Sequence, residues 1–505
     1  MRSNDGRSRS IWMDTAVAPD ADPLHDDASA DVAVIGAGIA GLSIAYELAR
    51  EGLSVIVLDR GAIAGGMTAR TTAHLAPICD DSLSELLSMR GEELARGFQE
   101  SQQAAVDRIE SIQREEEISC DFRRLDGVLF AATPDDLSIL DDEVEAAQTI
   151  GVAVRRETGL PFAGCDEAEH LRYPGQAAFH PLKYVAGLCT AIGRKGGRVH
   201  PHSPAVEIRE AEDGVVLRLA NERRVTAGYA VVATNSPITD RVAIHTKQAP
   251  YRTYAMAFRI ARGRLPDALY WDTLDPYHYV RLTPGEDGSD IVIVGGEDHK
   301  SGTADDAEER FAALEVWMRG LLPDLDAEVT RWSGQVMDTL DYAGFIGLDP
   351  GSRRIFVATG DSGQGMTHGV VASLLVPDLI AGRANPWAQV YDPSRKPLKA
   401  AATYLQENAT ALKSFAEYVA PGERASVDEL GPGEGAIVRE GLRKVAAYRD
   451  EAGTLHRRSA ACTHTGCHLH WNGFERCWDC PCHGSHFSPE GAVLSGPAIT
   501  PLASV

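Results

Sequence analysis

The first patterned stretch of the chain is "DVAVIGAGIAGLSIAYELAREGLSVIVLDR", from Asp31 to Arg60. The apolar run Val32–Ile35 reads as a buried strand, the glycines after it as a turn, and the 3.6-residue apolar period up to Arg50 as a helix. A second apolar strand then ends at Asp59. Everything before about residue 30 is polar and rich in Asp, Ser and Pro, and predicts a flexible arm. From Asp81 to about Glu117 the pattern is helical and charged, and mixed strands and turns run from there to Gly197–His200. "YAVVATNSP" (Tyr229–Pro237) is an apolar strand ending in a polar turn. "YRTYAMAFRI" and "DIVIVGG", between Ala249 and Gly295, predict strands of an antiparallel sheet. "ADDAEERFAALEVWMRGLL" places Phe311, Leu314, Met318 and Leu321 on one helical stripe. "RIFVATG" leads into a glycine loop and a helix reaching about Gly382, in which Pro377 is expected to kink or shorten the helix. "NPWAQVYDPSRKP" is turn-rich, Leu398–Val419 is an amphipathic connector helix, and a compact tail starts near Arg424. No internal repeat is visible.

A chain of 505 residues exceeds what one hydrophobic core organises, so two or three domains are expected. The net charge of −24 argues against nucleic acid or an anionic membrane surface as the main partner. No run of about 20 apolar residues occurs, which predicts no transmembrane segment. The N-terminal stretch has basic residues but no apolar core behind them, so a cytoplasmic location is expected. There a cysteine cluster means metal or redox chemistry more often than ordinary disulfides. Cys79, Cys120, Cys165 and Cys189 are scattered and read as small buried hydrophobes.

Gly36, Gly38 and Gly41 form G-x-G-x-x-G between the first strand and the helix. The first permits the tight turn, the second lets amides reach a pyrophosphate, and the third lets helix and strand pack closely. The helix N-terminus then faces phosphate charge. Asp59, at the end of the second strand, can take both ribose hydroxyls, which favours an unphosphorylated ribose. The unit resembles the FAD-binding start of the D-amino-acid-oxidase-like flavoprotein family. "GGMTARTTAHLAP" (Gly65–Pro77) resembles that family's segment along the flavin, with Arg70, Thr71 and Thr72 at the matching positions and Arg60 beside the ribose carboxylate. "DYAGFIGLDP" resembles a segment that usually reads D-G-x-P-x-I-G, with Phe345 in place of its proline. "IFVATGDSGQGMTHGVVASLLVPDLIAG" is similar to the family's closing strand, loop and helix and includes Gly360. The amides of Gly365, Met366 and Thr367 at that helix N-terminus suit the negative charge a flavin gains at its N1/C2=O edge on reduction.

The resemblance covers about Asp31 to Gly382 and implies bound FAD, with a middle region shaping a substrate pocket. Tyr251, Tyr254, Tyr279, Arg281 and His74 are candidates to line it. Each has an ordinary alternative, since sheet aromatics usually pack and a lone Arg usually pairs. No catalytic acid or base is identified, because in this family the flavin itself takes the hydride.

"ACTHTGCHLHWNGFERCWDCPCHGSHF" (Ala461–Phe487) concentrates five cysteines and five histidines. These ligand types admit tetrahedral zinc, thiol redox chemistry at Cys477-x-x-Cys480, or an iron–sulfur cluster with two His on one iron. Asn472-Gly473 between aromatic residues is a two-residue hairpin signal. A hairpin there would bring together two loops, each offering one Cys and one His. Cys467 and Cys482 are left over at equivalent places in the two boxes, and a zinc site has no use for that symmetric pair. "CTHTGC…CPCHGS" resembles the Rieske [2Fe–2S] proteins of cytochrome bc complexes. The resemblance implies Cys462 and Cys480 on one iron, His464 and His483 on the other, and a Cys467–Cys482 disulfide bracing the loops. Ser485 matches a residue that hydrogen-bonds the cluster, Phe487 stands where a tyrosine often tunes the potential, and Cys477 is read as a packing residue.

The expected fold is therefore an α/β FAD-binding (Rossmann-like) domain with an antiparallel-sheet substrate domain, plus a small all-β C-terminal Rieske domain. The expected divisions are 1–30 (arm), 31–383 (oxidoreductase, with the substrate domain inserted at about 245–325), 384–423 (linker with the amphipathic helix) and 424–505 (Rieske). The implied activity is oxidation of a small amine, amino acid or related compound, with electrons passing from flavin through the cluster to a one-electron acceptor protein or quinone. A hydride brings two electrons, whereas the cluster takes one at a time. Its potential of about −150 to +300 mV lies well above plant-type ferredoxins, and a dehydrogenase is expected rather than an oxidase. The alternative is a redox-sensing or electron-carrier flavoprotein in which the cluster is regulatory. A Rieske-type oxygenase would need a further domain for its mononuclear iron, for which the chain has no room.

Overall fold

A computed structural model describes residues 8–239, 242–285, 287–396, 399, 417–419, 421–441 and 443–505. Val32–Ile35 and Val55–Leu58 are buried along their whole length, as strands of a sheet covered on both faces must be. They belong to an eight-stranded sheet in which Ile355–Thr359, Arg224–Val232, Ala28–Ile35, Val55–Leu58 and Arg198–His200 are parallel neighbours. Phe345–Leu348 closes one edge antiparallel. The helix Ile39–Arg50 is buried almost all round, because the helices Gly365–Ile380 and Pro181–Arg194 pack against it. Pro377 does not shorten Gly365–Ile380, which runs on for three residues. Pro377 has no N–H to offer the preceding turn, and Asn385 Nδ2 supplies a donor to the Leu374 carbonyl there.

A nine-stranded sheet forms the second layer. Its order is Glu328–Thr339, Gln248–Ile260, Asp290–Lys300, Tyr279–Pro284, Leu269–Asp272, Arg123–Phe130, Glu169–Ala178 and His74–Leu75, with Arg155–Thr158 paired to Glu169–Ala178. It is antiparallel except where Leu269–Asp272 meets Arg123–Phe130. This sheet extends beyond the 245–325 expected for a substrate domain, since strands from far upstream join it through long-range pairings that no local pattern announces. On the helix Ala307–Leu321, Phe311, Leu314 and Met318 are buried against this sheet and Leu321 is half-buried.

The N-terminal stretch is not a free arm over residues 8–27. Trp12 is buried and its Nε1 donates to the Thr71 carbonyl (2.7 Å), while Ser10 Oγ donates to the Ala69 carbonyl (2.5 Å). Residues 1–7 lie outside the described residues, as does the expected connector helix apart from residues 399 and 417–419.

The tail from Gly435 is all β: a three-stranded sheet (Gly435–Glu440, Arg443–Arg449, Leu455–Ser459) and a four-stranded one (His470–Asn472, Cys477–Asp479, His486–Phe487, Val493–Ser495). The hairpin within the second differs from the expected two-residue turn. Asn472 pairs with Cys477, so the loop is Gly473–Arg476, four residues long. Asn472 spends its side chain on the loop and the neighbouring strand, accepting from Glu475 N and donating to Asp479 Oδ2.

The tail is seated on the front of the chain by buried polar contacts. Arg252 Nη2 and Asp479 Oδ2 are 2.8 Å apart and Arg70 Nη1 and Glu475 Oε1 2.8 Å, every partner at most 3% exposed. Gln335 Nε2 donates to the Gly484 carbonyl, its Oε1 meets His486 Nε2, and Ser236 Oγ donates to the His483 carbonyl. Charges this dry are held only when paired and hydrogen-bonded, so the seat is specific.

Candidate functional site

A cavity of about 740 Å³ lies between the two large sheets and is closed on one side by the tail. Its lining includes ten of the twelve residues the sequence assigns to the cofactor: Gly36, Gly38, Asp59, Arg60, Arg70, Thr71, Thr72, Gly360, Gly365 and Met366. Gly41 and Thr367 stand behind the wall. A Cβ on Gly41 would lie 1.9 Å from the Gly36 carbonyl oxygen, so Gly41 sets how closely helix and turn pack. Thr367 is buried and its Oγ1 donates to the Gln364 carbonyl. Gly36 has φ +103° and a Cβ there would sit 2.2 Å from the Ala233 carbonyl oxygen, a backbone atom that cannot swing aside.

Asp59 accepts from Ala37 N (2.7 Å) and Gly61 N (2.8 Å), so the carboxylate that faces the cavity also holds the glycine turn. Burial raises its pKa, against those two amides. The sequence reading missed Thr68, whose Oγ1 accepts from Ile39 N at the start of the helix and lies 3.0 Å from where a Gly38 Cβ would stand. At the other end of the cavity the helix Gly365–Ile380 points its N-terminus inward, and Gln364 ties that loop to the Ala76 and Ile78 carbonyls. The cavity is long, polar at the glycine turn and closed by a second helix N-terminus, which fits a dinucleotide flavin. Gly36→Ala is expected to destabilise the chain by about 1–3 kcal/mol through overpacking and backbone strain. It should release flavin, read as a fall in flavin per chain and in Tm.

Of the substrate candidates, His74 and Tyr279 line the cavity, their rings edge-on at 5.3 Å. Tyr254 stacks on His299 and meets Phe311, within the second layer's core. Arg281 donates to the Thr72, Ala73 and Phe179 carbonyls and so orders the segment along the cavity. Thr253, Tyr277, Asp80, Asp298 and Asp361 also line the cavity and carried no sequence signal, since the folding of distant strands brings them together.

The tail's second Cys/His box is tied to this cavity's wall through Gln335, a lining residue that donates to the Gly484 carbonyl. Cys467 and Cys482 form a disulfide, and Cys462 and Cys480 are free buried thiols. Cys462 and Cys480 hydrogen-bond each other, and that bond is the main cause that lowers the Cys462 thiol to about 7 and drives Cys480 well up. The His464 and His483 rings are 5.0 Å apart, and His483 Nδ1 is buried with no hydrogen-bond partner among the described residues. Two thiols and two imidazoles converging in a dry pocket, braced by a disulfide, fit a Rieske cluster. Ser485 Oγ hydrogen-bonds Cys462 and accepts from Ala498 N. Phe487 is buried and brings no hydroxyl. Cys477 is buried and its Sγ donates to Asp479 Oδ1 (3.2 Å). His245, a front-domain residue that no motif marks, packs its buried ring 4.9 Å from His464 and 5.5 Å from His483. Val493–Gly496 of the tail line the large cavity itself.

Comparison with known proteins agrees with both halves. Residues 31–379 match the family model of FAD dependent oxidoreductases, and residues 422–505 match that of the Rieske [2Fe-2S] domain. A Bacillus subtilis (strain 168) protein named as a Rieske 2Fe-2S iron-sulfur protein, YhfW, is 30% identical over 500 residues, covering 98% of this chain and 97% of that one. Gamma-glutamylputrescine oxidoreductase of Escherichia coli (strain K12) is 26% identical over 393 residues, 72% of this chain and 86% of that one. Among solved structures, glycine oxidase from Geobacillus kaustophilus superposes with a TM-score of 0.62 at 19% identity over 73% of this chain and 99% of that one, a likeness of fold.

Proposed function

The chain belongs to the FAD-dependent oxidoreductase family and ends in a Rieske [2Fe-2S] domain, and from that premise we propose that it dehydrogenates a small amine or amino acid and passes the electrons through its own cluster to a one-electron acceptor. When bound, FAD accepts a hydride and the [2Fe-2S] cluster accepts single electrons. In this reading Gly36, Gly38 and Gly41 shape the turn for the pyrophosphate, with Asp59 and Arg60 at the ribose. Arg70, Thr71 and Thr72 lie along the flavin, and Gly360, Gly365, Met366 and Thr367 place amides at its electron-rich edge. Cys462, His464, Cys480 and His483 hold the cluster.

The observation that carries the relay is the seat of the tail. The loop that carries the second Cys/His box is bonded to Gln335 and Ser236 of the front domain, and the first box meets it through the His245–His464 ring contact. Gln335 also lines the cavity. No swing of the connector is needed to bring cluster and flavin site together. Relatives support the substrate class: one is named a gamma-glutamylputrescine oxidoreductase. Among the described residues no helix is long and apolar enough to cross a membrane. In this reading the electron acceptor is a one-electron acceptor protein or a quinone.

Anaerobic rapid mixing of the holoprotein with amines and amino acids tests this. The expected result is bleaching of the flavin band followed by reduction of the cluster bands within the same turnover. Bleaching with a cluster that stays oxidised on that timescale would make the cluster regulatory.

A further inference from the structure

Resting on that functional reading, we propose that the substrate is a cationic amine carrying no carboxylate near its reacting carbon, a diamine or polyamine, held by Asp80, Asp298 and Asp361. All three line the cavity, on the wall formed by the second layer and the loop before Gly365. Asp80 Oδ2 accepts from Tyr277 OH (2.8 Å) and Asp361 Oδ1 from Met337 N (3.0 Å). Asp298 hydrogen-bonds Thr253, while its Oδ1 is buried and meets no donor among the described residues. Asp80 also lies so close to Gly363 that a Cβ there would be 1.8 Å from its Oδ2, so the carboxylate is pinned against the glycine loop.

None of the three makes an ion pair among the described residues. The cations around them are engaged elsewhere. Arg310 grips Asp306 with two bonds (2.8 and 3.0 Å), Arg70 is paired with Glu475, and Arg281 is spent on backbone carbonyls. Asp338 stands near the three. Burial first, and then mutual repulsion, pushes Asp80 up to about 6 and Asp298 up to about 7; Asp338 goes well above the usual range. Burial alone lifts Asp361 to about 6, against two backbone amides. Several buried carboxylates can ionise together only if a positive charge joins them. An ammonium group is that charge. Tyr277, Tyr279 and Trp271, which also line the cavity, give it aromatic faces, the first two rings 5.7 Å apart.

The same wall argues against an α-amino acid. Its carboxylate would sit one carbon from the reacting nitrogen and face Asp80 and Asp298 with the wrong sign, while of the two arginines that line the cavity Arg70 is charge-paired with Glu475 and Arg60 stands beside Asp59 at the glycine turn. A second ammonium several carbons away meets no such conflict and adds a second attraction.

Isothermal titration of the FAD-loaded full chain with 1,4-diaminobutane and with glycine, under anaerobic conditions, tests the assignment. The diamine is expected to bind at least about tenfold more tightly than glycine, and D298N and D80N are each expected to weaken it by about tenfold or more at unchanged flavin content. Neither substitution threatens folding, since each removes a charge the cavity leaves uncompensated. Glycine binding as tightly as the diamine, no diamine binding, or equal diamine affinity in wild type and D298N would each overturn the proposal. The flavin band separates this from the broader reading. A diamine that binds without bleaching it supports the cation site and sinks diamine oxidation, whereas bleaching by glycine with no loss in D298N sinks the cation site and leaves amino-acid oxidation standing.

Discussion

Replacing His464 or His483 by Ala is expected to abolish the histidine-ligated [2Fe–2S] signature while leaving one flavin per chain. The two imidazoles come from loops that the fold holds face to face, and each is the sole nitrogen donor its box offers. Removing one leaves an iron short of a ligand in a dry pocket. Alanine brings no donor in its place, and at His483 the buried His245 ring closes the pocket as well. Iron and acid-labile sulfide should fall towards background and the electron-paramagnetic signal of the reduced cluster should vanish. Flavin content should not change, since no residue of the glycine turn or of Gly360–Met366 touches the histidines. Cys467→Ser and Cys482→Ser make the contrasting case. The Cys467 carbonyl accepts from Cys462 N (2.8 Å), and the disulfide joins that loop to the second box. Losing the brace frees the loops without subtracting a ligand, so the cluster should form and then decay faster. Identical behaviour of the His464 and Cys467 variants would refute the division between ligand and brace.

What the sequence made legible follows from range. The glycine fingerprint and the Cys/His boxes are written within a few residues of one another, because a phosphate turn and a metal loop are local devices; both stand where their spacing places them. Asp80, Asp298 and Asp361 share a cavity wall although more than two hundred residues separate the first from the other two, and no period or motif links them. Thr68 at the helix start and His245 behind the cluster are invisible for the same reason. Asn472-Gly473 misled through chemistry: the turn-forming side chain was needed for Glu475 N and Asp479, which stretched the loop to four residues. Ser8–Asp27 read as a solvated arm because its composition is polar, yet Ser8 donates to Glu475 and Trp12 is buried, contacts supplied by the tail and by the flavin segment. From the sequence, docking of the tail and a swing on the helix from about Leu398 to Val419 are both open; the buried pairs seat the tail on the front of the chain.

Those pairs set the remaining expectation. Deleting the tail would strand Arg70 and Arg252 as buried charges, so the relay is better tested in the full chain. Arg252 donates to Ser333 Oγ (2.9 Å) and Asp479 Oδ2 (2.8 Å) from a position 3% exposed. Arg252→Met leaves the Asp479 carboxylate buried without its partner, which is expected to weaken the seat of the tail by about 3–5 kcal/mol. The substitution lies on the front domain and removes none of the four proposed ligands, so flavin content, cluster signal and the rate of flavin bleaching by substrate should all persist. Cluster reduction should slow by at least about tenfold, because a loosened tail spends only part of its time against the flavin cavity. Combining Arg252→Met with Asp479→Leu removes both charges and should recover most of the lost stability, since a well-packed apolar pair often matches a buried ion pair. If the seat is the electron route, the double variant should also recover cluster reduction. Should Arg252→Met melt earlier yet reduce its cluster at the wild-type rate, the docked geometry would be structural only, and electrons would leave the flavin by another path.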